Sequence, residues 1–275
     1  HFKLQTSNFD PRTSHLQTMQ TLLDPLFHLP LVTGLLLALM LPVIGAALML
    51  RDEWLAALGL AHLAAAGAAL GLAVGITGVT GGLLAALGGG TVKALLGARG
   101  NTAYAFMVLG GWSALLLIAA NTAVGNALGH ALIEGQLYFA GPVDLTATMV
   151  VAMLAAVTLP WLLPRLLRAR LFPHHETANR LPAWRWHLGF DLIAAASIAV
   201  ATATLGLMGA FALVLVPAWC AFRIAPGWRW ALFLAALIGT GAYLAGFAIA
   251  LVLDQPFGPL LVAVLLAVAA AMSLP

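Results

Sequence analysis

The chain has 275 residues, of which 63% are hydrophobic and 8% charged, with a formal charge of +3. Soluble domains carry roughly one-quarter charged residues, so this composition and a mean hydropathy of +1.02 exclude a soluble globular protein. The single cysteine, Cys220, excludes an internal disulfide framework and a multi-cysteine metal site.

Residues 1–18 are polar and aperiodic, without the charged-then-apolar order of a signal peptide. They read as a tag remnant or disordered extension ahead of one transmembrane domain over 19–275. A bilayer core of about 30 Å takes roughly 20 apolar residues per helix. Cutting at charges, prolines and polar clusters predicts spans near 30–50, 54–74, 77–97, 103–126, 145–166, 188–207, 209–222, 228–252 and 257–274. The expected fold is an all-α polytopic bundle of eight or nine transmembrane helices. Two spans are irregular: 77–97 carries Gly78, Gly81, Gly82 and Gly88-Gly89-Gly90, and 209–222 is short, so either can be a broken or partial helix.

The distribution of charge fixes an orientation, because basic residues collect on the cytoplasmic side. With nine alternating spans, Arg51, Lys93, Arg99, Arg165, Arg168, Arg170, Arg180, Arg185, Arg223 and Arg229 all fall on one face. The opposite face carries Asp24, Glu134, Asp144 and Asp254, an acidic periplasmic mouth. Such a mouth concentrates cations over a Debye length of about 8–10 Å; it is also what remains when positive charge is simply kept inside. Two extramembrane segments are long, 127–144 on the acidic side and 165–187 on the basic side. Within the second, Glu176-Thr177-Ala178-Asn179-Arg180-Leu181 can form a short helix closed by Pro182, either a surface on which a motor protein acts or an ordinary basic loop.

Ionisable groups inside a bilayer are expensive and mark function by default. His62 is the one that falls well inside a span, roughly 12 Å from Trp54 at 1.5 Å per residue; Asp191 is shallower. The same helix shows Gly67, Gly71 and Gly75 at the spacing that lets membrane helices approach closely. His62 projects away from that stripe, toward a pathway, another helix or lipid. A neutral imidazole ligates Zn, Mn or Fe, and it equally serves as a buried histidine bonded to a backbone carbonyl. Asn101, Thr102, Asn121, Asn126, Thr202 and Thr204 are either oxygen donors to a weak transit site or polar helix contacts. A phosphate loop, a Ser/His/Asp grouping and an HExxH motif are all absent from the sequence, which excludes nucleotide hydrolysis by a P-loop within this chain. Its basic residues hug the membrane and give no nucleic-acid surface.

Several segments, in order and spacing, resemble the permeases of bacterial zinc/manganese/iron ABC importers. Leu50-Arg51 followed by Leu60-Ala61-His62-Leu63-Ala64-Ala65-Ala66-Gly67 is similar to the family's early Arg and its histidine-bearing stretch. Glu176-Thr177-Ala178-Asn179-Arg180-Leu181-Pro182 resembles the segment docked on the ATPase, Gly206 to Ala218 the run ending in Pro217-Ala218, and Leu253 to Pro259 the loop before the last span. The resemblance implies a homodimeric permease of the bacterial inner membrane, two separate ATPase subunits, a periplasmic binding protein, and a metal ion as substrate with no bound cofactor. It implies His62 as a transit ligand and Glu176 to Leu181 as the coupling segment. One departure is specific: many members carry an Asp four residues before the histidine, where this chain has Leu58. Zinc is the first expectation for the cargo, manganese or iron next; a metal chelate or siderophore-derived iron on the same architecture is the alternative. A membrane scaffold or sensor and a proton-coupled carrier are the readings from other classes.

Overall fold

The computed structural model describes residues 25–98, 100–122, 135, 137–172 and 174–273, and no strand occurs among them. The extension 1–18, Asp24, Arg99, Asn126 and Glu134 lie outside the described residues. Helices α1 (Pro25–Leu50), α2 (Ala56–Ala73), α3 (Gly78–Leu95) and α4 (Asn101–Asn121) follow one another through short connectors. A 3-10 turn at Leu137–Phe139 precedes α5 (Pro142–Leu171), and the four-residue α6 (His175–Ala178) leads into α7 (Trp184–Ile224), α8 (Trp228–Leu253) and α9 (Phe257–Ala271). Six of these helices are long and apolar enough to cross a membrane.

The 41-residue α7 is two helices joined at Gly206, whose φ of 78° and ψ of 167° are not helical. The two arms run in opposite directions. Ser197 in the first arm meets Met40 of α1, while Val214 in the second lies against Gly45. Seventeen residues of continuous helix would separate Ser197 from Val214 by about 25 Å, yet their α1 partners are only five residues apart. The chain therefore turns back at Gly206, which bears out the split expected between 207 and 209. With α7 counted as two arms, the described residues hold nine long helical segments at the nine expected positions.

The glycine-rich segment is an intact helix and not a broken one: α3 is continuous from Gly78 to Leu95, its start capped by Thr77, whose hydroxyl accepts from the Thr80 amide at 3.3 Å. Small residues, not apolar bulk, bring helices together, since lipid is as apolar as leucine. Gly67 and Gly71 of α2 lie against Gly81 of α3, and Gly82 faces the Ala64 carbonyl. Gly75 is not part of that stripe; it sits in the α2–α3 turn at a φ of 86° with open space around it. The paired arms of α7 form the centre of the bundle with α1 and α2, while α4, α5 and α8 lie toward the periphery with a minority of their residues buried.

Contacts bring several of the described basic residues to one end, where Ala46 of α1 packs with Ala218 and Ala221 of the second α7 arm. Arg51, Lys93 and Arg170 line one cleft, and Arg223 of the second α7 arm donates to Ser273 beyond α9 at 3.3 Å. At the other end Tyr138 packs edge-on against Phe27 and Phe257 and tilts against Phe247, closing the bundle with an aromatic cluster.

Candidate functional site: a mid-depth histidine above a buried ion ring

His62 lies on α2 and is 6% exposed. Its Nδ1 stands 2.8 Å from the Leu58 carbonyl one turn earlier. A carbonyl only accepts, so Nδ1 carries the proton, and in the neutral imidazole Nε2 keeps its lone pair. The ring meets Trp112 of α4 edge to face at 5.7 Å. Gly111 allows that approach, because a Cβ there would strike the His62 backbone. One side of the His62 ring thus packs on a neighbouring helix, α4. Among the described residues no three His, Cys, Asp or Glu side chains form a group that could hold a metal ion. Three of the polar side chains noted along the spans serve the backbone: Asn121 donates to Leu117 O, Thr202 to Ile198 O, and Thr204 to Val200 O.

At the basic end four charged side chains close a ring. Arg51 follows α1, Glu53 lies in the connector to α2, Lys93 is in the last turn of α3 and Asp191 is about two turns into α7. Arg51 holds Asp191 at 2.7 Å and Glu53 at 2.8 Å; Lys93 holds Glu53 at 2.9 Å and Asp191 at 3.1 Å. The Arg51–Glu53 contact is an ion pair without the alignment of a directed hydrogen bond. Glu53, Lys93 and Asp191 are each no more than 4% exposed. Aromatic faces complete the setting, Tyr104 against the Lys93 ammonium at 4.9 Å and Phe190 against the Arg51 guanidinium at 4.8 Å. Two cations and two anions cancel, which is how charges survive at this depth. Asn101 at the start of α4 fastens the same connector, accepting from the Leu55 amide at 2.9 Å and donating to Asp52 O at 3.2 Å.

The ring floors a cleft of about 490 Å³ whose walls carry Arg170, Glu176 and His187. Glu176 of α6 accepts from Trp186 Nε1 at 2.9 Å and lies 3.4 Å from His187 Nε2. The helix expected over 176–181 is shorter and starts earlier. It covers His175–Ala178, after which Asn179 donates to His175 O at 2.8 Å, and Arg180 adopts a left-handed φ of 49°. Leu181 closes the turn by donating to Glu176 O at 3.0 Å. Ala178, Asn179, Arg180 and Leu181 are exposed, a contiguous surface beyond the membrane-spanning segments; Thr177 sits between Glu176 and Ala178 in the same short helix.

At the acidic end, the Asp144 carboxylate accepts from the Gly141 amide at 2.8 Å and caps α5. Asp254 is exposed and ends α8 in a left-handed conformation with φ 51°. Burial, and then the Asp254 carboxylate, push the Tyr138 hydroxyl up to about 12.

Sequence reasoning placed His62 at depth and Asp191 at a shallower position, but counted Lys93 only among the basic residues of one face and passed over Glu53. One sign was present: Glu53 and Asp191 are acids at the basic end, where an acid needs a cation beside it.

The profile of the ABC 3 transport family matches residues 24–274. The chain therefore belongs to the ABC 3 transport family, a family of membrane transport permeases, and this bears out the resemblance read from the sequence. The fold agrees. The structure of PsaBC from Streptococcus pneumoniae in complex with Fab superposes with a TM-score of 0.81 at 17% identity, covering 94% of this chain and 95% of that one. An ABC transporter described as of metal-chelate type, in an inward-facing conformation, superposes with a TM-score of 0.74 at 16% identity, covering 99% and 92%. No curated protein matches in sequence. The chain is thus a multi-pass membrane permease.

Proposed function

We propose that the chain is the permease subunit of an ABC importer that moves a transition metal into a bacterial cytoplasm. The basic end faces the cytoplasm, residues 175–181 meet a separate ATPase subunit, and a binding protein delivers cargo at the acidic end. Two copies of the permease form the pathway. The metal-chelate description of a solved neighbour supports a metal as cargo.

One observation carries a free ion as cargo, zinc first and manganese or iron next. His62 commits Nδ1 to the Leu58 carbonyl and keeps the Nε2 lone pair, the arrangement of a metal-ligating imidazole with its second nitrogen fixed by a carbonyl. A second reading, passage of a metal still held by its chelator, is favoured by Leu58 one turn away where a carboxylate would add a second ligand, and by the lack of any three-ligand group among the described residues. A tight site needs about four ligands, and a chelate brings its own.

Uptake by proteoliposomes holding the permease, its ATPase and its binding protein separates the two. ATP-driven uptake of one free ion that His62→Ala abolishes supports the first reading. Uptake of chelated iron alone, unchanged by His62→Ala, makes His62 a packing residue and supports the second. Uptake without any ATPase removes the ABC mechanism altogether.

A further inference from the structure

Coupling between the segment a motor pushes and the helix that meets the cargo is carried by packed side chains, ion-pair networks and rigid elements. Such a connection is continuous here. Glu176 of α6 holds Trp186 at 2.9 Å and lies 3.4 Å from His187, both at the start of α7. Asp191 stands four residues after His187, one turn along the same face. Its carboxylate closes the ring with Arg51 at 2.7 Å and Lys93 at 3.1 Å. Those two cations hold Glu53 at 2.8 and 2.9 Å. The connector containing Glu53 runs directly into α2, which carries His62.

The ring is built to transmit displacement rather than to yield to it. Each member touches two partners of opposite charge, so no single broken contact frees an element. Opening it would leave buried charges unpaired, the most destabilising state for such groups. Close backbone packing backs the charges: Gly90 lets α3 lie against the Asp191 and Ala195 positions of α7. The Asn101 contacts clamp the connector from the α4 side.

We infer that the Arg51–Glu53–Lys93–Asp191 ring is the joint through which movement of residues 175–181 reaches α2 and His62. The inference rests on the proposed importer function. The four side chains are positioning residues and touch no cargo.

The test uses the permease in proteoliposomes with its ATPase subunit and binding protein. Lys93→Met/Asp191→Leu removes one charge of each sign and leaves Arg51 paired with Glu53. Arg51→Met/Glu53→Gln opens the ring from the connector side and leaves Lys93 with Asp191, which guards against misfolding of the first variant. Lys93→Arg keeps the ring. The readout is stimulation of ATP hydrolysis by loaded binding protein, a signal that crosses the permease whether or not metal moves. The double variants are expected to lose about tenfold of that stimulation, within the range of allosteric couplings, with basal hydrolysis unchanged and a melting temperature that falls far less than that of Lys93→Met alone; Lys93→Arg is expected to match the wild type. Undiminished stimulation in the double variants overturns the joint. So does a loss that merely tracks a falling melting temperature, or a wild type that shows no stimulation. Metal uptake recorded in parallel judges the cargo separately: stimulation that depends on the ring, with no import of any metal or chelate, leaves the joint standing and removes the proposed substrate.

Discussion

Lys93→Met leaves Glu53 and Asp191, both nearly inaccessible, with Arg51 as their only shared cation in the ring. Stripping one partner from a buried ion pair costs about 3–5 kcal/mol, and removing an opposite charge as well returns much of it. The single variant should therefore unfold at clearly lower temperature in detergent than Lys93→Met/Glu53→Gln; equal losses would mean that the ring is not electrostatically closed. His62 and Lys93 show what is readable at this scale. The depth of His62 follows from counting residues along one helix. The burial of Lys93 depends on Glu53 and Asp191, 40 and 98 positions away, and a helix-terminal lysine looks the same in sequence whether it meets water or a carboxylate.

Elements were more legible than residues, because a bilayer imposes length and polarity on each span. All nine expected spans have a helical counterpart, including the short 209–222, which is the returning arm of α7. Less legible was the integrity of α3, where the glycines serve contact with α2 and do not break the helix. Substitution of Gly67 by Val should separate the α2–α3 pair, because a Cβ at that position already meets the Gly81 carbonyl and the Ala85 side chain. Overpacking of this kind costs about 1–3 kcal/mol, whereas Gly241→Ala, with nothing near its Cβ, should be neutral in the same thermal assay. Gly206→Ala belongs with the damaging changes for a different reason. Its backbone occupies a region open almost only to glycine, and a side chain there costs about 1–3 kcal/mol of strain.

At the scale of the whole molecule, the reversal at Gly206 decides which side of the membrane everything after it faces. Were α7 a single crossing, Arg223 and Arg229 would emerge with the acids, and Asp254 with the arginines. Two arms keep the described basic residues at one end, in agreement with the preference for positive charge in the cytoplasm. Thiol labelling tests this directly. Arg180 and Asp254 are both exposed, and the native Cys220 is buried. In right-side-out vesicles an impermeant maleimide should label Asp254→Cys and spare Arg180→Cys, with the pattern exchanged in inverted vesicles. Labelling of both from the same side would make α7 one crossing, and the antiparallel arms with their contacts to Met40 and Gly45 would have to be abandoned. The expected pattern places the cleft, the ion ring and the short helix α6 together on the cytoplasmic side, which is the placement that coupling to an ATPase requires.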